Sequence, residues 1–288
     1  MNDHNERLKL HLETTIHSIS ELSNGLTEII IHSPRLITTI DIGEFIKFQN
    51  YYKSNFYLSE PVALTPVYLN YKENLVHFIV HEVGASTKIL GNLQKGERVV
   101  TMGAVGSKFD LSIFQDKKII FACEDFLHYL NLFLLTEIFS KKIAKNITFI
   151  SDNSNKIPEF YRNKIIEHAD CVIDCKSDNQ KMINQVHDLH KNNDYIISGI
   201  SNKNTISAIE KLPIKIINLI NAPLQCMMNG ICSKCVQQNE SGEYFFNCGK
   251  SRYRLYNSNF DYNHPKMWQN SLVEKINYIK IKKLIEER

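Results

Sequence analysis

Several things are missing from this chain, and each absence closes a door. No apolar segment opens the 288-residue sequence, which begins Met1-Asn2-Asp3-His4-Asn5-Glu6-Arg7; a secretory signal is not predicted, and a reducing, cytoplasmic setting is. No apolar run is long enough to cross a bilayer: the richest, Tyr129 to Phe139, is short and contains Glu137. Charge of one sign is scarce. A net charge of +3 is too slight to predict a nucleic-acid or membrane-surface partner. Repeats of fixed period and low-complexity tracts are absent, as are a Ser–His–Asp set, an H-E-x-x-H helix and a phosphate-cradling P-loop. The eleven histidines are scattered, and His187 and His190, on one helical segment, read as a solvated face. What is left is 43% hydrophobic and 23% charged, an ordinary globular balance over a length that suits two domains and a small appendage.

Against this background the cysteines stand out. Cys226, Cys232, Cys235 and Cys248 follow the pattern C-x5-C-x2-C-x12-C. This is one residue longer in its first gap than the plant-type spacing of a [2Fe–2S] cluster. Such a cluster needs four thiolates converging on a small core, and Gly230 lets the backbone approach the sulfurs closely enough to donate N–H groups. A structural zinc site is the first rival, but it usually uses two close pairs, and here only Cys232 and Cys235 form one. Two disulfides are the second rival, disfavoured by a reducing compartment. Iron–sulfur is the preferred reading. Cys123, Cys171 and Cys175 read as ordinary buried thiols.

The hydrophobic pattern divides the rest. Short runs at Leu26–Ile31, Glu44–Phe48, Val67–Asn70, Leu75–Val80 and Arg98–Met102, separated by turn residues, predict a small β-barrel or sandwich over residues 1–112. From 113 to 221 the pattern alternates. Strands are predicted at Lys117–Cys123, Ile147–Ser151, Cys171–Asp174, Asp194–Gly199 and Ile214–Ile220. Helices are predicted at Asp125–Lys142, Pro158–His168, Asn179–His190 and Asn202–Lys211. Five strands alternating with helices imply a parallel sheet covered on both faces. The cysteine loop occupies 222–256. A C-terminal extension, 257–288, carries a helix from Ser271 with Leu272, Val273, Ile276, Ile279 and Leu284 on one broad face, which Lys283 interrupts.

A barrel, a parallel α/β domain and a C-terminal two-iron loop, in that order, resemble the electron-transfer subunit of the two-protein dihydroorotate dehydrogenases, a branch of the ferredoxin-reductase superfamily. Gly43-Glu44-Phe45 resembles the family's Gly-Gln-Phe strand. Glu60-Pro61-Val62-Ala63 stands at its Arg-Pro-x-Ser flavin segment, Gly84-Ala85-Ser86-Thr87 at its phosphate-capping Gly-x-Gly-Thr turn, and Gly103 to Phe109 at its barrel-exit turn. Ile79-Val80-His81 occupies the strand that borders the flavin ring in relatives. The resemblance therefore implies an FAD site built from Pro61, Val62, Ala63, Ile79, Val80, His81, Ser86 and Thr87, an NAD(H)-type α/β domain and a [2Fe–2S] cluster on the four cysteines.

The chain departs from the pattern at definite places. Glu60 and Ala63 replace the arginine and serine of the flavin segment. The first α/β strand runs into Phe121-Ala-Cys-Glu-Asp-Phe-Leu-His-Tyr129 with no glycine, where relatives carry a glycine-rich turn for pyrophosphate. The late strand ends Ser198-Gly199-Ile200-Ser201 and keeps only the glycine of Cys-Gly-Pro. The family scheme moves electrons between NAD(H), FAD and the cluster, to or from an FMN-containing dihydroorotate dehydrogenase catalytic subunit in pyrimidine biosynthesis. Flavin converts hydride chemistry to single electrons. Three other readings stay open: a sister branch serving another partner oxidoreductase, a relay or accessory subunit that keeps the cluster but not the nucleotide sites, and a zinc-bound interaction module.

Overall fold

The computed structural model describes residues 10–23, 25–42, 44–49, 61–82, 84–106, 110–124, 143–152, 158–200, 202–218, 236–238 and 244–246. The N-terminal part is a seven-stranded antiparallel sheet. Its strands are β1 (Leu10–Ser23), β2 (Leu26–His32), β3 (Glu44–Gln49), β4 (Val62–Leu64), β5 (Tyr68–Asn70), β6 (Leu75–His81) and β7 (Arg98–Gly106). They run in the order β4-β3-β7-β1-β2-β6-β5, and β4 lies back against β6, so the sheet curls into a barrel. Gly25, at φ 74°, makes the tight β1–β2 turn, a conformation that only glycine adopts at little cost. Helix α1 (Pro34–Thr39) starts where Ser33 accepts the N–H of Leu36. Helix α2 (Ala85–Gly91) follows β6.

Alternation along the strands decides what fills the barrel. Ile16, Ile29, Ile31, Ile46, Phe48, Val76, Phe78 and Val80 point inward with Leu36 and Ile37 of α1 and Leu90 of α2. Phe48 and Phe78 meet edge to face at 4.9 Å. Strand β1 escaped the sequence reading because its inward positions are partly polar: Thr14 is buried, and its hydroxyl lies 3.1 Å from that of Thr101. Gly84 to Thr87 begins α2, and Gly103 to Gly106 continues β7, paired with Glu44 and Phe45 of β3.

The second sheet is parallel: β8 (Lys118–Cys123), β9 (Asn146–Ser151), β10 (Cys171–Asp174), β11 (Tyr195–Gly199) and β12 (Lys215–Asn218), in the order β10-β9-β8-β11-β12. Helices α3 (Glu159–His168), α4 (Asn179–Leu189) and α5 (Lys203–Ile209) connect or follow its strands. The helix predicted for 125–142 lies outside the described residues. Asp178 caps α4 by accepting the N–H of Lys181, and Asn202 caps α5 by accepting from Asn204 and Thr205.

Each face of this sheet has its own partner. Ile120, Ala122, Ile150, Ile196 and Ile216 pack on α4 and α5 through Met182, Val186, Ile206 and Ile209. Ile119, Phe121, Phe149, Ile197 and Ile217 pack on Tyr161 and Ile165 of α3 and also on Leu26, Val67 and Ile79 of the barrel. One apolar core thus spans both sheets, and each large side chain fully buried in it contributes about 1.5–3 kcal/mol. Among the described residues no helix is long and apolar enough to cross a membrane.

Candidate functional site

The flavin positions inferred from resemblance fall on β4, β6 and α2, which adjoin one another. Pro61, Val62 and Ala63 are half-buried on or beside β4, which among the described residues has a ladder on one side only. Ile79 and Val80 have packing roles: Ile79 is buried in the seam between the sheets and Val80 in the barrel core. His81 is half-buried at the strand end. Thr87 binds back on its own helix start, its hydroxyl accepting the Gly84 N–H and donating to the Gly84 carbonyl, each at 3.0 Å. Gly84 at the N-cap offers no side chain, and Ser86 is half-buried in the first turn of α2. Lys88 on the same helix is engaged with Glu82 at 2.9 Å.

One residue here was not singled out in the sequence. Lys47 is only 8% exposed, yet it lies between the inward-facing Ile46 and Phe48 and so points to the outer face of β3. Its register partner on β4 is Ala63, so the two side chains share that face. Lys47 is therefore buried beside Ala63, which stands at the serine of the flavin segment in the family the sequence resembles. The signal was present in Phe45-Ile-Lys-Phe48, a lone lysine inside an apolar strand, because burying a charge demands an anionic or polar counterpart. Glu60 lies outside the described residues. The half-buried apolar residues of β4, with Ser86 on the adjoining α2, suit a flavin dinucleotide.

The seam between the sheets holds a polar cluster. Glu28 of β2 accepts a hydrogen bond from the Tyr161 hydroxyl of α3 at 2.6 Å and lies 3.1 Å from His77 Nδ1 of β6. Tyr68 packs edge-on against His77 at 5.1 Å. Burial pushes the Glu28 carboxyl up, but hydrogen bonds from His77 and Tyr161 and the charge of His77 outweigh it and hold it below its ordinary value. Burial first, then the Glu28 carboxylate, push the Tyr161 phenol up.

On the parallel sheet, the chain steps outward from β8 to β10 and then returns to lay β11 beside β8. In doubly wound sheets, ligands bind at the carboxyl ends of the strands where the order reverses in this way. Here that place is furnished by Glu124 and Asn202. Glu124 Oε2 accepts the Asn202 N–H at 2.7 Å, and the Glu124 N–H donates to Gly199 O at 3.2 Å. The sequence flagged Glu124 but not its partner, which lies 78 residues away.

The four cluster cysteines lie outside the described residues, so nothing tests their convergence; elsewhere, among the described residues, no group of three or more His, Cys, Asp or Glu could hold a metal. Strands β13 (Val236–Gln238) and β14 (Tyr244–Phe246) pair antiparallel, with Val236 opposite Phe246. Of the remaining thiols, Cys123 and Cys175 are buried, whereas Cys171 is exposed at the start of the edge strand β10. Burial pushes the Cys175 thiol up to about 11, which keeps it protonated and unreactive. His190 also departs from expectation: it is buried with its ring on the His187 carbonyl, and only His187 is exposed.

No family model matches the chain. An uncharacterized protein of Rickettsia prowazekii is 31% identical over 271 residues, 92% of this chain but 33% of the relative, so the chain spans about a third of that protein's length. Among solved structures, a chain from the NADH-dependent reduced ferredoxin-NADP oxidoreductase, described for flavin-based electron bifurcation, superposes with a TM-score of 0.66. The two are 16% identical, with 100% of this chain and 99% of that one covered. A ferredoxin NADP+ reductase from Neisseria gonorrhoeae with bound FAD and NADP matches at 0.55, with 12% identity, over 75% of this chain and all of that one. The ferredoxin-NADP+ reductase of Plasmodium falciparum matches at 0.52, with 11% identity, over 73% and 93%. Barrel and parallel sheet together have the ferredoxin–NADP reductase fold.

Proposed function

We propose that the chain is an electron-transfer module that holds FAD on the barrel and a [2Fe–2S] cluster on Cys226, Cys232, Cys235 and Cys248, and serves a partner oxidoreductase. The observation that carries this reading is the order of parts: a reductase-type barrel and parallel sheet, then four cysteines with near plant-type spacing. When bound, FAD would supply the conversion between paired and single electrons. Pro61, Val62 and Ala63 would line it, Ser86 and the start of α2 would meet its phosphates, and Lys47 would balance their charge. In sequence, the β13–β14 hairpin starts one residue after Cys235 and ends two before Cys248.

The division into a barrel at 1–112, an α/β unit at 113–221, a cluster loop at 222–256 and a C-terminal extension at 257–288 belongs to the same proposal, as does a cytoplasmic location. The partner is a separate redox protein or a further part of a longer assembly. The threefold greater length of the Rickettsia relative supports such company. A flavin-containing dihydroorotate dehydrogenase as that partner rests on architecture and the cysteine loop alone. NAD(H) as the electron source requires the crevice at the ends of β8 and β11, where Glu124 stands. The Glu124–Asn202 bond favours a second reading: a relay without a dinucleotide site.

Anaerobic purification followed by a visible spectrum, with iron, acid-labile sulfide and released-flavin assays, tests the proposal. Flavin together with two irons and two sulfides per chain is the expected result. A colourless, zinc-containing protein would sink it.

A further inference from the structure

We infer that Glu124 makes the crevice at the ends of β8 and β11 reject anionic dinucleotides, so that electrons do not enter this module from NAD(P)H. The statement about electrons rests on the proposed electron-transfer function; the rejection itself does not. A dinucleotide held at a strand-order reversal puts its pyrophosphate against backbone N–H groups, and glycines let the backbone come that close. This chain has no glycine from residue 107 to residue 198, so the turn after β8 has none to offer.

Among the described residues, N–H groups at this point bond within the chain. Asn202 N–H donates to Glu124 Oε2 at 2.7 Å, a length typical of a charge-assisted bond. Glu124 N–H crosses to Gly199 O, tying the end of β8 to the end of β11. The side chain of Asn202 takes the N–H groups of Asn204 and Thr205. The start of α5 thus takes oxygens from the chain itself, and the Glu124 carboxylate stands at the crevice. A phosphate entering there would have to displace Glu124 from Asn202 and meet its charge.

Equilibrium titration of the full chain with NADH and with NADPH, followed by calorimetry, tests this. The proteins compared are the parent, Glu124→Gln, Glu124→Gly and the exposed control Glu159→Gln. The parent and the control are expected not to saturate up to about 1 mM, and both Glu124 variants to bind about tenfold or more tighter than the parent. Saturation of the parent in the micromolar range would overturn the inference. So would variants that bind no better than the parent while keeping its circular dichroism and melting temperature. Glu124→Gln keeps size and shape, so it remains informative where Glu124→Gly is unstable. The titration needs no flavin or iron, so a protein lacking both would end the electron-transfer proposal and leave this result standing.

Discussion

The two sheets treat negative charge in opposite ways. On the barrel, Lys47 is buried with Ala63 of β4 as its register partner. On the parallel sheet, the start of α5 is closed by a carboxylate at 2.7 Å. Both belong to one fold whose solved examples include a reductase with FAD and NADP bound together. A shared fold does not by itself carry shared sites.

The comparison can be broken most forcefully by asking whether the sheets are separate bodies at all. Phe121 of β8 and Phe78 of β6 are both fully buried, the first in the core that spans the sheets and the second inside the barrel. Phe121→Ala and Phe78→Ala should each cost about 3–5 kcal/mol. Both should shift one common urea transition, because the spanning core links the two sheets. Two transitions, each moved by only one substitution, would mean that they unfold independently.

A middle-sized effect sharpens the charge contrast. Lys47→Met keeps the stem and removes the cation. It should weaken FAD binding by about 1.5–3 kcal/mol, roughly 10- to 150-fold in Kd, as read by quenching of flavin fluorescence on adding back FAD. Unchanged retention would remove Lys47 from the site.

The smallest effect concerns the seam. Tyr161→Phe deletes the hydrogen bond to Glu28 and should cost about 1–3 kcal/mol at neutral pH. The folded Glu28 carboxyl lies below its ordinary 4.5, so its contribution is present above that pH and is lost as pH falls through the folded value. The variant lacks part of this contribution, so parent and variant should converge in urea midpoint as pH falls through the lowered Glu28 value. A gap that stays constant from neutral to acid pH would mean that Glu28 does not act through Tyr161.

How much of this was legible in the sequence varied with the physics of each element. The five parallel strands were readable to within a residue or so over the described positions because most of them, as in Lys118-Ile-Ile-Phe-Ala-Cys123, are buried on both faces and spell near-continuous apolar runs. Strand β1 hid because a buried threonine pair does the work of an apolar side chain. Ile79 was placed correctly in a strand, but its burial under the parallel sheet depends on docking between distant parts, which local pattern does not encode. Glu124 was conspicuous as an acid in a place that wants glycine. Its closure of the crevice needed the return of β11 to β8, a fact of topology.

The core shared between the sheets has a consequence for timing. Electrons hop between fixed centres at rates that fall steeply with separation, so a reductase whose halves swing can use that swing as a gate. In this chain, opening the seam would expose Phe121, Phe149 and Ile79 to water and break the Tyr161–Glu28 bond. In the proposed electron-transfer role the barrel and the parallel sheet would therefore act as one spacer, and a gate would have to be worked by whatever docks against it.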